Sequence, residues 1–302
     1  MKIIIFGGTG FIGPKLLKAF EAKGHSVSIA DTRKMPDWEG RIADSDVVVN
    51  LAGAPILGKR WNDRVKSAIY DSRVDGTKLI VDAMGRAKAS GSKVSALVSA
   101  SAIGYYGPTQ DEPLSESSPS GTDFLAMVCR DWEEQSFKAE KHFGIRTAVV
   151  RIGIVLGRDG GALEKQLPIF KLGLGGPVGS GKQWTSWVHL DDVIGLFVFA
   201  VEQTQVRGAL NATAPNSVRN GEFTKALGKA LHRPAVLPVP GLALYVLFGE
   251  VAEILINGQR VVPTATLAAG YVFKYPQLDA ALKSICAPAS NPAPAKPQDA
   301  RT

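Results

Sequence analysis

Residues 3–6 form an unbroken apolar run, Ile3, Ile4, Ile5 and Phe6, that ends at Gly7. That is the pattern of a parallel strand covered on both faces. A helix is expected over 11–23, where Phe11, Leu16, Leu17 and Phe20 fall near one face, Pro14 sits in the first turn and Gly24 ends the pattern. A second strand is expected at 27–30, and further buried strands at 47–51, 96–99 and 147–152. Helical patterns at 63–89 and 123–143 separate them. Strands alternating with helices of this length imply an α/β fold with a doubly wound parallel sheet. The stretch 31–46 is too short for the usual helix, strand and return, so one strand of the first half is expected to be trimmed or missing.

Beyond Gly157 the pattern loosens. A glycine-rich stretch at 173–181 precedes apolar helices at 193–201 and 221–231, and a hydrophobic helix is expected at 242–255, ahead of Gly-Gln-Arg-Val-Val-Pro at 258–263. This divides the chain into a dinucleotide-binding domain, 1–157, to which later segments can return, and a smaller substrate or C-terminal lobe, 158–285. The tail, 286–302, is rich in Ala and Pro and expected to be disordered.

With 302 residues, 45% hydrophobic and 21% charged, the chain can bury a full core. Its formal charge of +7 comes from Lys and Arg scattered singly among acids. That argues against nucleic acid and for a mild positive field that attracts an anionic cofactor or substrate. Two cysteines, Cys129 and Cys286, are too few for a disulfide framework, and no Cys/His spacing suggests a metal. Met1 runs straight into the first strand, and no apolar run is long enough to span a bilayer. The expectation is therefore a cytoplasmic protein with no membrane partner, its oligomeric state left open.

Candidate chemistry begins at the first turn. Gly7, Gly10 and Gly13 form GxxGxxG between the first strand and the first helix. The first glycine permits a tight turn, the second lets the backbone approach a pyrophosphate, and the third allows close packing of helix on strand. The helix N-terminus adds free N–H groups and a positive dipole end.

Five blocks extend the pattern: Gly7 to Gly13, Asn50-Leu51-Ala52-Gly53, Ser99-Ala100-Ser101 before Tyr105-Tyr106-Gly107, Arg151 to Gly157, and Trp187-Val188-His189-Leu190-Asp191-Asp192. In this order they resemble the extended short-chain dehydrogenases, the NAD-dependent epimerases and dehydratases. The glycine-rich 173–184 segment, Asn211 to Asn216 and the 258–263 segment are similar to an atypical epimerase-like branch that ends in a small domain of uncharacterised function. The resemblance covers roughly residues 1–285. It implies a Rossmann domain that binds NAD(P) through Gly7, Gly10, Phe11, Ile12 and Gly13. Asn50, Ala52 and Gly53 would stand beside the cofactor, and Ser101 would occupy the family's catalytic serine position; a hydroxyl satisfied by local backbone is the alternative. His189, with Asp191 and Asp192, reads as a structural helix cap. Asp31 can accept from ribose hydroxyls and Arg33 can pair with a 2′-phosphate, and the balance tips to NADP(H) over NAD(H).

The chain departs from the family at its chemistry. Members use a tyrosine and a lysine four residues later, but here none of Tyr70, Tyr105, Tyr106, Tyr245, Tyr271 and Tyr275 has that lysine. On the helix expected at 123–143 the tyrosine position falls on Leu125 or Ala126, and the lysine position on Cys129 or Arg130. Cys129 and Trp132 read as core. If a proton donor survives, the resemblance makes Ser101, Tyr105 and Tyr106 the best placed. Thr185 stands where an arginine commonly holds a nucleotide diphosphate, and the indoles of Trp184, Trp187 and Trp61 suggest a flatter, more apolar ligand. Two functions follow: an NAD(P)-binding epimerase-like oxidoreductase of a small carbonyl or hydroxyl compound, or a non-enzymatic nucleotide-binding module.

Overall fold

The structure, a computed structural model, describes residues 1–287. Six parallel strands, β1 (Lys2–Phe6), β2 (Ser26–Ala30), β3 (Val47–Asn50), β4 (Ala96–Ala102), β5 (Arg146–Ile152) and β6 (Gly208–Ala212), lie in the order β6-β5-β4-β3-β1-β2. Around them are α1 (Gly13–Ala22), α2 (Trp38–Ala43), α3 (Asp63–Ala89), α4 (Phe124–Phe143) and α5 (Leu190–Glu202). The apolar run of β1 is unbroken because both faces are covered. Ile3 and Ile5 join Leu16, Phe20, Val193 and Phe197 in one core, while Ile4 and Phe6 join Ile42, Ile80, Met84 and Ala139 in another. Side chains alternate across a strand, so one run feeds both.

Caps define the two long helices. Asn62 accepts from the Val65 N–H at 2.9 Å to start α3, and Asp123 accepts from the Ala126 N–H at 2.9 Å to start α4. Gly144 ends α4 at φ 65°. Only the six-residue α2 separates β2 from β3, and β2 forms the edge of the sheet, so the shortened first half is real.

The chain returns to this sheet after residue 157, because α5 packs into the first core and β6 pairs with β5 along Gly208 to Ala212. A third core joins Phe223 and Leu227 of helix Asn220–Leu231 to Leu278 and Leu282 of helix Leu278–Cys286. The single helix expected at 242–255 is instead broken. Gly241–Phe248 gives way to a 3-10 turn, Gly249–Ala252, and then to Glu253–Ile256. Gly249 has φ 61°, which an α-helix cannot pass. The tail expected to be disordered lies outside the described residues, apart from Cys286 and Ala287. Among the described residues no helix is long and apolar enough to cross a membrane, and no three metal-ligating side chains cluster.

Candidate functional site

Where the glycine turn meets the loops after β3 and β4, a cavity of about 850 Å³ opens. Gly7, Gly10, Phe11, Ile12 and Gly13 line it on one side. Gly7 has φ 75°, and a Cβ there would stand 2.6 Å from the Leu51 carbonyl; one on Gly13 would stand 2.2 Å from the Gly8 oxygen. Both glycines are therefore required by contact. A Cβ on Gly10 would meet only the Gly7 oxygen, at 3.5 Å, so bare backbone faces the open side. A cradle of this kind, at the N-terminus of a ten-residue helix, fits the pyrophosphate of a dinucleotide.

At the end of β2, Asp31 Oδ1 accepts from the Arg33 N–H at 2.9 Å, with Arg33 Nε 3.8 Å away. The Arg33 side chain is 80% exposed. Neither residue lines the cavity. Asn50 does not line it either. Fully buried, Asn50 donates to Thr77 Oγ1 at 2.8 Å and accepts from the Ala52 N–H at 3.1 Å. It shapes the loop that presents Leu51 and Gly53 to the cavity, while Ala52 stays behind.

The three proposed proton donors sit in a buried network. Ser101 donates to Glu133 at 2.6 Å, and Arg151 pairs with both oxygens of Glu133 at 2.8 Å. Arg151 also donates to the Tyr106 hydroxyl at 2.9 Å, which donates to Asn211 Oδ1 at 2.7 Å. Its guanidinium lies 3.5 Å from the centre of the Tyr105 ring. Burial pushes the Tyr106 phenol up to about 12. None of Ser101, Tyr105 and Tyr106 is among the residues that line the cavity; their side chains are engaged by the buried Arg151–Glu133 pair.

On α4 it is Leu125 and Cys129 that face the cavity, whereas Ala126 is fully buried and Arg130 turns outward to Asp131. Burial pushes the Cys129 thiol up to about 12, which keeps it neutral.

Opposite stands a residue that the motifs did not single out. Arg73, on α3, lines the cavity and donates through Nη1 to the carbonyls of Ala54 and Ile69 at 3.0 and 3.2 Å. Its Cζ lies 5.4 Å from the Trp132 ring, and burial lowers its pKa. A Cβ on Gly53 would come within 2.9 Å of that carbon, so the glycine makes room for it. A signal existed: Arg73 shares a helical stripe with the buried Ile69, Thr77, Ile80 and Met84, where an arginine is out of place.

Of the three tryptophans, Trp61 and Trp184 line the cavity, and Trp61 packs edge-on against Phe124 at 5.4 Å. Trp187 is core instead, with its indole N–H on the Asn216 carbonyl at 3.0 Å. Thr185 is buried in a strand pair with Val218. Arginine reaches this region from elsewhere: Arg219 stacks 3.9 Å over the Trp184 ring and pairs with Asp111, at a neighbouring hollow of about 730 Å³.

Comparison with known proteins completes the description. The sequence matches the NAD dependent epimerase/dehydratase family over residues 3–212 and a domain of unknown function (DUF1731) over residues 239–285. It is 40% identical to the epimerase family protein SDR39U1 of Mus musculus, an alignment covering 95% of this chain and 100% of that one. A chloroplastic SDR39U1 homologue of Arabidopsis thaliana is also 40% identical, over 94% of this chain and 86% of its own. The crystal structure of human SDR39U1 (isoform 2) with NADPH superimposes with a TM-score of 0.86 at 37% identity, covering 95% of this chain and 99% of the other.

Proposed function

Because the chain belongs to the NAD dependent epimerase/dehydratase family, we propose that it is an NADP(H)-binding oxidoreductase acting on a small carbonyl or hydroxyl compound without a tyrosine–lysine pair. The observation that carries this reading is the glycine cradle opening onto an 850 Å³ cavity whose α4 wall is Phe124, Leu125 and Cys129. Gly7, Gly10 and Gly13 would hold the pyrophosphate, and the dinucleotide, when bound, supplies a hydride donor or acceptor. Preference for NADP(H) rests on Arg33. The Asp31 carboxylate accepts from the Arg33 backbone and stands 3.8 Å from Nε, and the guanidinium, on a side chain 80% exposed, has room to pair with a 2′-phosphate. The human relative was solved with NADPH.

Binding is tested by melting and fluorescence titration with NADPH and NADH. At one hundred times the dissociation constant the cofactor stabilises the fold by about 2.7 kcal/mol. Gly10→Asp should abolish the shift, and Arg33→Ala should weaken NADPH while sparing NADH; an NADPH affinity unchanged in that variant removes the argument for NADP(H). A neutral thiol and a leucine on α4 also favour a second reading, a nucleotide-binding module without turnover. Nicotinamide absorbance with a carbonyl panel separates the two. Loss of a positioned acid typically costs about 10²- to 10⁴-fold, so standard nucleotide sugars should turn over very slowly.

A further inference from the structure

A cation at the wall of an apolar cavity needs an anion, since a desolvated charge left alone is costly. Arg73 has none among the described residues. Its only hydrogen bonds among the described residues run through Nη1 to two backbone carbonyls, and no carboxylate contributes to its electrostatics. The acids on the same wall are engaged or outside: Asp123 caps α4, Glu250 pairs with Lys66 at 2.5 Å, and Glu253 is exposed. Cys129, the ionisable group that bears on its electrostatics, stays a neutral thiol. Nε and Nη2, the edge of a guanidinium that meets a carboxylate side-on, make no hydrogen bond among the described residues, and both pass the bare Cα of Gly53.

The dinucleotide has its own anion cradle at the end of β1, with Arg33 beyond it at β2. Arg73 lies on the other side, against Cys129 and Trp132 of α4. Around it the cavity is lined by Ile56, Trp61, Phe124, Leu125 and Ile254. From this geometry we infer that Arg73 is the substrate-recognition residue of the cavity. It receives the carboxylate of an organic acid in a bidentate pair through Nε and Nη2, with the apolar body of the acid against those side chains. This rests on the proposed dinucleotide site and adds the substrate class to it.

The test uses the full chain saturated with NADP⁺, so that binding is read without turnover. Phenylpyruvate and 4-methyl-2-oxopentanoate are titrated by calorimetry beside their methyl esters, which keep the apolar body and lose the charge. The acids should bind about tenfold or more tightly than the esters, as a charge-assisted bidentate pair requires. Arg73→Gln should abolish that difference and Arg73→Lys retain part of it, with NADP⁺ affinity within about threefold of wild type in both. Equal binding of acid and ester to wild type, or no acid binding, overturns the inference while leaving NADP⁺ binding intact. A loss of NADP⁺ affinity that matches the loss of acid binding overturns it too, by assigning Arg73 to the cofactor. Failure of wild type to bind NADP⁺ at all would instead strike the dinucleotide reading.

Discussion

The backbone N–H of Asp191 can only donate, so Nδ1 of His189, 3.0 Å away, carries no proton. The ring is therefore the neutral tautomer with hydrogen on Nε2, which faces Ser284 Oγ at 3.2 Å while that hydroxyl donates to the Ala281 carbonyl. Burial holds His189 below its ordinary value, against the opposing pull of Asp191 and Asp192. As pH falls, the unfolded chain takes up the proton first, so this stability is present above about 6.5 and lost as pH drops toward the folded value. The melting temperature should fall between pH 7.5 and 5.5. His189→Asn, which keeps a capping oxygen and removes the titration, should flatten that slope; an unchanged slope would show that other groups set it. His189 as a cap was legible in the sequence, as was the glycine turn, because both depend on residues within a few positions. That Ser101, Tyr105, Tyr106 and Asn50 stand behind the residues that line the cavity was not legible, for the opposite reason. Where their side chains point is decided by Glu133, Arg151 and Thr77, brought in from other elements.

Among elements, α3 and α4 form the scaffold that carries both Arg73 and Cys129. Their approach is close at one point, where a Cβ on Gly85 would meet the Phe143 ring at 2.4 Å. Glycine inside a helix costs roughly 1 kcal/mol against alanine, and here that cost permits the contact. Gly85→Val should destabilise the fold by about 1–3 kcal/mol through overpacking, read as a lower urea midpoint with an unchanged slope. If the midpoint does not fall, α4 is free to move aside and the scaffold is softer than its packing indicates. Both helices could be read from their apolar period because capping side chains mark their starts. The 242–255 stretch could not, since continuous hydrophobicity has no period to read and a single glycine at φ 61° turned the chain.

At the scale of the molecule, two carboxylates, the buried Asp192 and the half-buried Glu116, fasten residues 260–285 to the rest. Asp192 accepts from the N–H groups of Lys274 and Tyr275 at 2.6 and 3.0 Å, and Glu116 from those of Asn211, Ala265 and Thr266 at 2.9, 2.9 and 3.2 Å. In Asp192→Asn one oxygen must serve where two did, so an N–H is left facing an NH₂ group. A loss of about 1–3 kcal/mol is expected, together with faster proteolysis between 257 and 275. Cleavage elsewhere first would show that Asp192 does not hold this segment. The boundary at 157 was harder to see in the sequence, because β6 is five residues long and its place is fixed by pairing with β5 across 60 positions of chain. That pairing bears on synthesis. A ribosome that has released residues 1–157 has released a sheet whose β5 edge is open, with the N–H and C=O groups that face away from β4 available to another nascent chain. The sheet cannot close until residue 212 clears the exit tunnel, so the interval between the two is when a chaperone has something to protect.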